Sequence, residues 1–259
     1  MSVTVEMEEH HCAQAPIRYD AAITKGWDDY MNMAVIFDLD GVIIDNIPYH
    51  KQAWREMCRR YGRELTDEDF DQKISGRKND AILAFLLKRA VTDAEVQACE
   101  RAKEALYRTL VQPYLQPIRG LVPLLEQLRV RDITCAIATS APVENIDFAL
   151  DGMKIRHYFD AIVDASQVKH GKPDPEVYLM AALRLKADPR QCVVFEDAPL
   201  GIRAAKAAGM RVVGLTTTQR AENLHEADKI VSDFSEITVA QIQALVQNGI
   251  KAAWFPAGG

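Results

Sequence analysis

Apolar positions along the chain follow two different rhythms. Short apolar runs recur at 33–37, 133–139, 159–163, 192–195, 212–215 and 230–231, the signature of strands buried on both faces. Between 48 and 112 the rhythm is helical instead. Trp54, Met57, Cys58 and Tyr61 stand at i, i+3, i+4 and i+7, and Ile82, Leu83, Phe85 and Leu86 mark a second apolar face. Thr66-Asp-Glu-Asp and Thr92-Asp-Ala-Glu read as helix N-termini with capping chemistry, so this stretch divides into several helices. Strands alternating with helices imply a parallel sheet covered on both sides. The expected architecture is therefore α/β: a doubly wound parallel sheet with a Rossmann-like core over 33–47 and 113–259, and an inserted all-helical cap over 48–112.

Residues 1–32 carry no clear apolar period and stand outside this plan as an N-terminal extension of open role. A short helix over 23–30 packed on the domain, or a true start at Met31 or Met33, are both compatible with them. The extension opens acidic, at Glu6, Glu8 and Glu9, unlike a secretory signal. His10, His11 and Cys12 have no accompanying ligands at zinc-site spacing and read as a polar tail.

Composition narrows the function classes. The formal charge is −6 over 259 residues, which argues against a general nucleic-acid or anionic-membrane binder. The longest apolar run, 81–87, ends at Lys88 and is too short to cross a bilayer. Five cysteines without a C-x-x-C pair fit reduced thiols, and Cys135 and Cys192 fall inside strand runs as core residues. A cytoplasmic protein is expected, with its oligomeric state open and a monomer favoured.

In a parallel sheet the ligand lies at the carboxyl ends of the strands. The first apolar run is followed there by Asp38-Leu-Asp-Gly-Val-Ile-Ile-Asp-Asn46, and the run at 192–195 by Glu196-Asp197. Four carboxylates, Asp38, Asp40, Glu196 and Asp197, thus converge on one sheet edge. Without a cation they would repel one another, so a hard divalent metal is the natural counterion. An all-oxygen ligand set favours Mg2+. Thr139-Ser140, after the second strand, and Lys172, in His170-Gly-Lys-Pro-Asp-Pro-Glu176, add a hydroxyl and a cation. A carboxylate nucleophile, a second carboxylate as acid and base, and donors for phosphate oxygens make a set suited to phosphoryl transfer.

Asp38-Leu-Asp40 with Gly41, then Thr139, Lys172-Pro173 and Glu196-Asp197, stand in the order of the four motifs of the haloacid dehalogenase superfamily. From about 33 to 238 the chain resembles that superfamily, in its β-phosphoglucomutase-like phosphatase branch. The resemblance implies Asp38 as the nucleophile that forms an aspartyl-phosphate, and Asp40 as general acid to the leaving oxygen, then base toward water. It implies Thr139 as a phosphate hydrogen-bonder and Lys172 as the neutralising cation. Magnesium would be held by the Asp38 side chain, the Asp40 backbone carbonyl, Glu196 and Asp197, and the backbone amides of Leu39 and Ser140 would complete the phosphate cradle. Asp45 is read as a loop brace.

Substrate choice must come from the cap, because the core motifs read only phosphate and metal. Gly76, Arg77 and Lys78 form the candidate specificity loop, His50 opens the cap near the hinge where relatives use a histidine, and Lys103 is expected to be solvated. The resulting expectation is a magnesium-dependent phosphohydrolase acting on a small phosphorylated metabolite, a sugar phosphate in particular. The runner-up is a phosphosugar mutase. Mutases of this branch hold a second phosphate with an arginine and polar side chains at positions that are Asn79, Ala141 and Val143 here. Inorganic pyrophosphatase and a non-catalytic phosphate-binding protein are further alternatives, the latter disfavoured because no catalytic position is substituted.

Overall fold

The computed structural model describes residues 32–74 and 79–254. The extension over 1–31, with the tail at 10–12 and the alternative helix at 23–30, lies outside the described residues, as does the predicted specificity loop Gly76, Arg77 and Lys78.

Six parallel strands form one sheet: β1 (Ala34–Phe37), β2 (Thr134–Ala138), β3 (Ala161–Val163), β4 (Cys192–Glu196), β5 (Arg211–Leu215) and β6 (Lys229–Val231). Their spatial order is β3-β2-β1-β4-β5-β6. Each apolar run of the sequence therefore became a strand, with ends shifted by at most two residues. The chain winds outward from β1 to one edge and returns to begin again at β4, so β1 and β4 flank the point where the order reverses. Phe37 is in register with both Ile137 and Phe195, which brings Asp38 level with Glu196 one step further on.

Side-chain alternation divides the sheet into two unlike faces. Val35, Phe37, Cys135, Ile137, Val193, Phe195, Val213 and Leu215 pack against α4 (Leu121–Val130), α5 (Val143–Gly152) and α8 (Val239–Trp254). Phe37 and Phe195 stack there with ring centroids 5.1 Å apart. The other face presents Ala34, Ile36, Ala136, Ala138, Val194 and Val212 to α6 (Glu176–Leu185) and α7 (Pro199–Ala207). Its alanines let those two helices lie close to the strands. Cys135 and Cys192 are buried free thiols, as their surroundings foretold.

Between β1 and β2 the described chain is helical: α1 (Ile47–Arg60), a short turn of helix at Asp67–Asp69 running into a π-helical turn at Phe70–Ile74, α2 (Asn79–Leu87) and α3 (Asp93–Val111). Thr92 and Glu95 make the reciprocal capping box that opens α3, and the Thr66 hydroxyl accepts from the Asp69 amide. These helices have their own apolar centre around Trp54, Met57, Cys58, Ile74, Ile82, Leu83, Leu86 and Cys99. A smaller cluster of Ile44, Ala53, Tyr107 and Val111 joins them to the sheet domain, with Phe148 and Met153 packed against it. No helix among the described residues is long and apolar enough to cross a membrane.

Candidate active site

The first strand ends in a buried carboxylate, Asp38, whose backbone N–H still follows the sheet by donating to Phe195 O at 3.1 Å. The chain then doubles back: the Leu39 carbonyl accepts from the amides of Val42, Ile43 and Ile44. Gly41 takes φ +76° in this turn, and a β-carbon there would sit 2.3 Å from Asp197 Oδ2. Only glycine satisfies both demands.

Around Asp38 the predicted core residues come together. Lys172, from the loop before α6, donates to Asp38 Oδ1 at 2.9 Å and to Glu196 Oε1 at 2.6 Å. Single oxygens of Asp38, Glu196 and Asp197 lie within 4.8 Å of one another. Burial pushes the Asp38 carboxyl up to about 7 against the opposing pull of Lys172. Asp197 is likewise raised well above the usual carboxylate range, by burial and by the charges of Glu196 and Asp38. Burial disfavours the charged form of Lys172, but Asp38 and Glu196 outweigh it and hold the ammonium protonated.

With all three ionised, these buried carboxylates facing one ammonium leave two negative charges uncompensated, and burial together with this imbalance raises Asp38 and Asp197. A single divalent cation would balance them, and oxygen donors alone suit a hard ion, so the residues fit a metal. Glu196 differs from its neighbours in one respect. Its Oε1 accepts from Lys172 and from the Tyr178 hydroxyl at 2.7 Å, and its Oε2 accepts from the backbone amides of Asp197 and Ala198 at 2.9 and 3.0 Å. Those four donors fill the acceptor capacity of a carboxylate. Asp197 keeps more of its own, with Thr218 hydrogen-bonded to its carboxylate.

Thr139 follows β2 and is buried; its backbone N–H donates to Val163 O, and its hydroxyl oxygen accepts from the Ala141 amide at 3.1 Å, which leaves the O–H as a donor. Ser140 beside it is exposed to a cavity of about 300 Å³ between the sheet domain and the helices. Ala141 lines the same cavity and Val143 is exposed at the start of α5; neither side chain supplies a hydrogen-bonding group.

Asp40 turns away from the carboxylate cluster. Asn46 donates to its Oδ1 at 2.5 Å and to the Tyr107 hydroxyl at 2.6 Å. Asn46 is the N-cap of α1, yet its side chain makes no capping bond because it is committed to Asp40 and Tyr107. His50 lies flat on the Tyr107 ring, centroids 3.7 Å apart, with Nε2 3.8 Å from Asp40 Oδ2. Burial works to raise the Asp40 pKa, but His50, Asn46 and the Lys103 ammonium together bring it below the ordinary value.

Lys103 corrects the sequence-based expectation. It is buried, 6% exposed, with Nζ 2.7 Å from His50 Nδ1 and 2.7 Å from Glu104 Oε1. The physical reason is its place on α3: Cys99, Lys103, Tyr107 and Val111 form that helix's buried stripe at four-residue spacing. An ammonium can only donate, so it fixes Nδ1 as an acceptor and places the imidazole proton on Nε2, the nitrogen facing Asp40. The four-residue spacing was readable in the sequence. Tyr178, Thr218 and Asn46 gave no comparable signal, because each reaches the site through tertiary packing.

Acid residues and a lysine are thus gathered at the switch point of a parallel α/β sheet, the place where such sheets bind their ligands. The haloacid dehalogenase-like hydrolase profile matches residues 35–215, and the chain belongs to that family, in its β-phosphoglucomutase-like branch. It is 35% identical over 208 residues to validoxylamine A 7'-phosphate phosphatase of Streptomyces hygroscopicus subsp. limoneus, covering 80% of this chain and 96% of that one. It is 36% identical over 179 residues to the fructose-1-phosphate phosphatase YqaB of Escherichia coli, covering 69% and 94%. The crystal structure of β-phosphoglucomutase from Clostridium difficile superposes with TM-score 0.75 at 30% identity, covering 85% of this chain and all of that one.

Proposed function

We propose that the protein is a magnesium-dependent phosphohydrolase of small phosphorylated metabolites, sugar phosphates in particular, with the helices over 48–112 serving as its cap. The observation that carries this reading is the Asp38 carboxylate, held by Lys172 at the switch point of the sheet beside Asp197 and Glu196. Asp38 attacks phosphorus, its oxygen forms the new P–O bond, and the bond to the leaving oxygen breaks. Asp40, two residues along, gives that oxygen a proton, then takes one from the water that cleaves the aspartyl-phosphate and returns Asp38 as a carboxylate. Lys103 orients His50, and His50 with Asn46 holds Asp40 in place for both steps. Thr139, Lys172 and the amides of Leu39 and Ser140 donate to the phosphoryl oxygens.

Asp38 and Asp197, with the Asp40 carbonyl, would hold the magnesium ion, and Glu196 would act beside them chiefly by fixing Lys172. When bound, the ion supplies charge neutralisation to the phosphoryl group.

The phosphosugar mutase is the second reading, favoured by the likeness to β-phosphoglucomutase. Against it stand Ala141 and Val143, which give a second phosphate no donor. A turnover screen with magnesium over phosphomonoesters, pyrophosphate and β-glucose 1-phosphate primed with its bisphosphate tests the choice. Phosphate release from monoesters with little isomerisation is expected. Isomerisation outpacing phosphate release replaces the hydrolase with the mutase, and turnover confined to pyrophosphate replaces it with a pyrophosphatase.

A further inference from the structure

The cavity between the sheet domain and the helices has an unusual polar edge. Its wall includes Ile47, Trp54, Phe70 and Ile82, but on one side stand Glu104 of α3 and Asn145 of α5, with Asp40 and His50 at the inner end. Asn145 is buried, 1% exposed, and donates through Nδ2 to Glu104 Oε2 at 2.8 Å. Arg108 donates to the Asn145 carbonyl oxygen at 2.7 Å and so fixes which end of the amide faces Glu104. Lys103 holds the other Glu104 oxygen.

We infer that Glu104 and Asn145 are the recognition pair for the leaving group, and that they select a monophosphate of an uncharged polyhydroxylated molecule over one carrying a second phosphate. The inference rests on the phosphohydrolase reading, which puts phosphorus at Asp38 and the leaving oxygen at Asp40. The rest of the substrate then extends into this cavity, whose volume of about 300 Å³ is at the small end for metabolite sites.

A carboxylate accepts about four hydrogen bonds, and Lys103 and Asn145 supply two of those at Glu104. The remaining acceptor positions, with the second N–H of Asn145, match hydroxyl groups, each of which donates and accepts. A phosphate dianion offers only acceptors. Among the described residues the charged groups lining the cavity are Asp40, Glu104 and Lys103, and the ammonium of Lys103 is already shared by Glu104 and His50. Among the described residues of the wall, a second phosphate would thus face net negative charge and no uncommitted cation. Such repulsion confers selectivity independently of any attraction toward the preferred substrate.

The test compares wild type, Glu104→Gln and Asn145→Ala on glucitol 6-phosphate, n-hexyl phosphate, fructose 6-phosphate and fructose 1,6-bisphosphate. Wild type is expected to prefer fructose 6-phosphate to the bisphosphate. Each variant should lose about tenfold more kcat/KM on glucitol 6-phosphate than on n-hexyl phosphate, whose leaving oxygen needs the same proton but carries no further hydroxyls. Glu104→Gln should also narrow the preference against the bisphosphate. Equal losses on the two monoesters would make the pair a structural bridge only and overturn the inference. Equal wild-type rates on mono- and bisphosphate overturn it even if neither variant folds. Absence of all phosphatase activity in wild type would instead remove the function on which the inference depends.

Discussion

Asp38 and Asp40 are two residues apart on one turn of chain, and their environments drive them in opposite directions. Asp38 faces other carboxylates in a buried pocket, and its pKa rises to about 7 although Lys172 touches it. Asp40 faces the helices, where His50, Asn46 and Lys103 overcome the same burial and lower its pKa. The contrast is one of partners. The sheet domain gathers carboxylates that a bound cation would return to the charged form, and the helices hold, through His50 and Asn46, the carboxylate that the proposed mechanism uses as its proton carrier.

The sharpest way to break this pairing is to remove each carboxylate in turn. Asp38→Asn should lower turnover by about 10⁴-fold or more while preserving the fold, because an amide does not attack phosphorus. Retained activity in a preparation free of contaminating phosphatase would end the nucleophile assignment. Asp40→Asn should cost about 10²- to 10⁴-fold on sugar phosphates. Its loss on p-nitrophenyl phosphate should be much smaller, since that leaving group departs without a proton; equal losses on both would show that Asp40 is not the acid.

Metal dependence separates the two acids at the end of β4. Asp197→Ala should raise the magnesium concentration for half-maximal activity by about tenfold or more, with partial recovery in excess metal. Glu196→Ala should respond less to added metal, because four protein donors already occupy that carboxylate and its loss releases Lys172 and Tyr178. Identical metal titrations would contradict the division.

On the helical side, Lys103→Met should reduce kcat by about tenfold with a displaced pH profile, while the ultraviolet circular dichroism remains that of wild type. An unchanged profile would separate Lys103 from Asp40.

The smallest expected effect lies far from either acid. Asp228 accepts from Lys206, Arg211 and the Val212 amide. Burial opposes the shift, but these partners lower its pKa below the ordinary aspartate value of 3.8. Its contribution to stability is therefore fully present above that value and is lost as pH falls through the folded-state pKa. Denaturant midpoints of wild type and Asp228→Asn should be separated above about pH 4.5 and draw together as pH falls below 3.8; parallel curves throughout would refute the linkage.

The sheet was legible because buried strands declare themselves as apolar runs, and the acids after β1 and β4 sit where such a sheet presents its ligands. Lys103 stands at four-residue spacing from Cys99 and Tyr107 on a buried stripe, but a lysine is ordinarily solvated, and the His50 partner that lets it stay buried is brought to it only by the fold. Glu104, Asn145 and Tyr178 could not have been found by spacing. Glu104 and Asn145 meet only when α3 packs against α5, and Tyr178 reaches Glu196 from an otherwise ordinary amphipathic helix.

Gly201, in α7, carries a lesson for anyone engineering this protein for heat resistance. A helical glycine is the usual first choice for replacement by alanine, with about 1 kcal/mol to gain. Here the added methyl would fall 1.7 Å from Glu196 Oε1. The customary stabilising exchange would drive the glutamate away from Lys172, and a sturdier helix would be obtained only by breaking the buried ion pair it shelters.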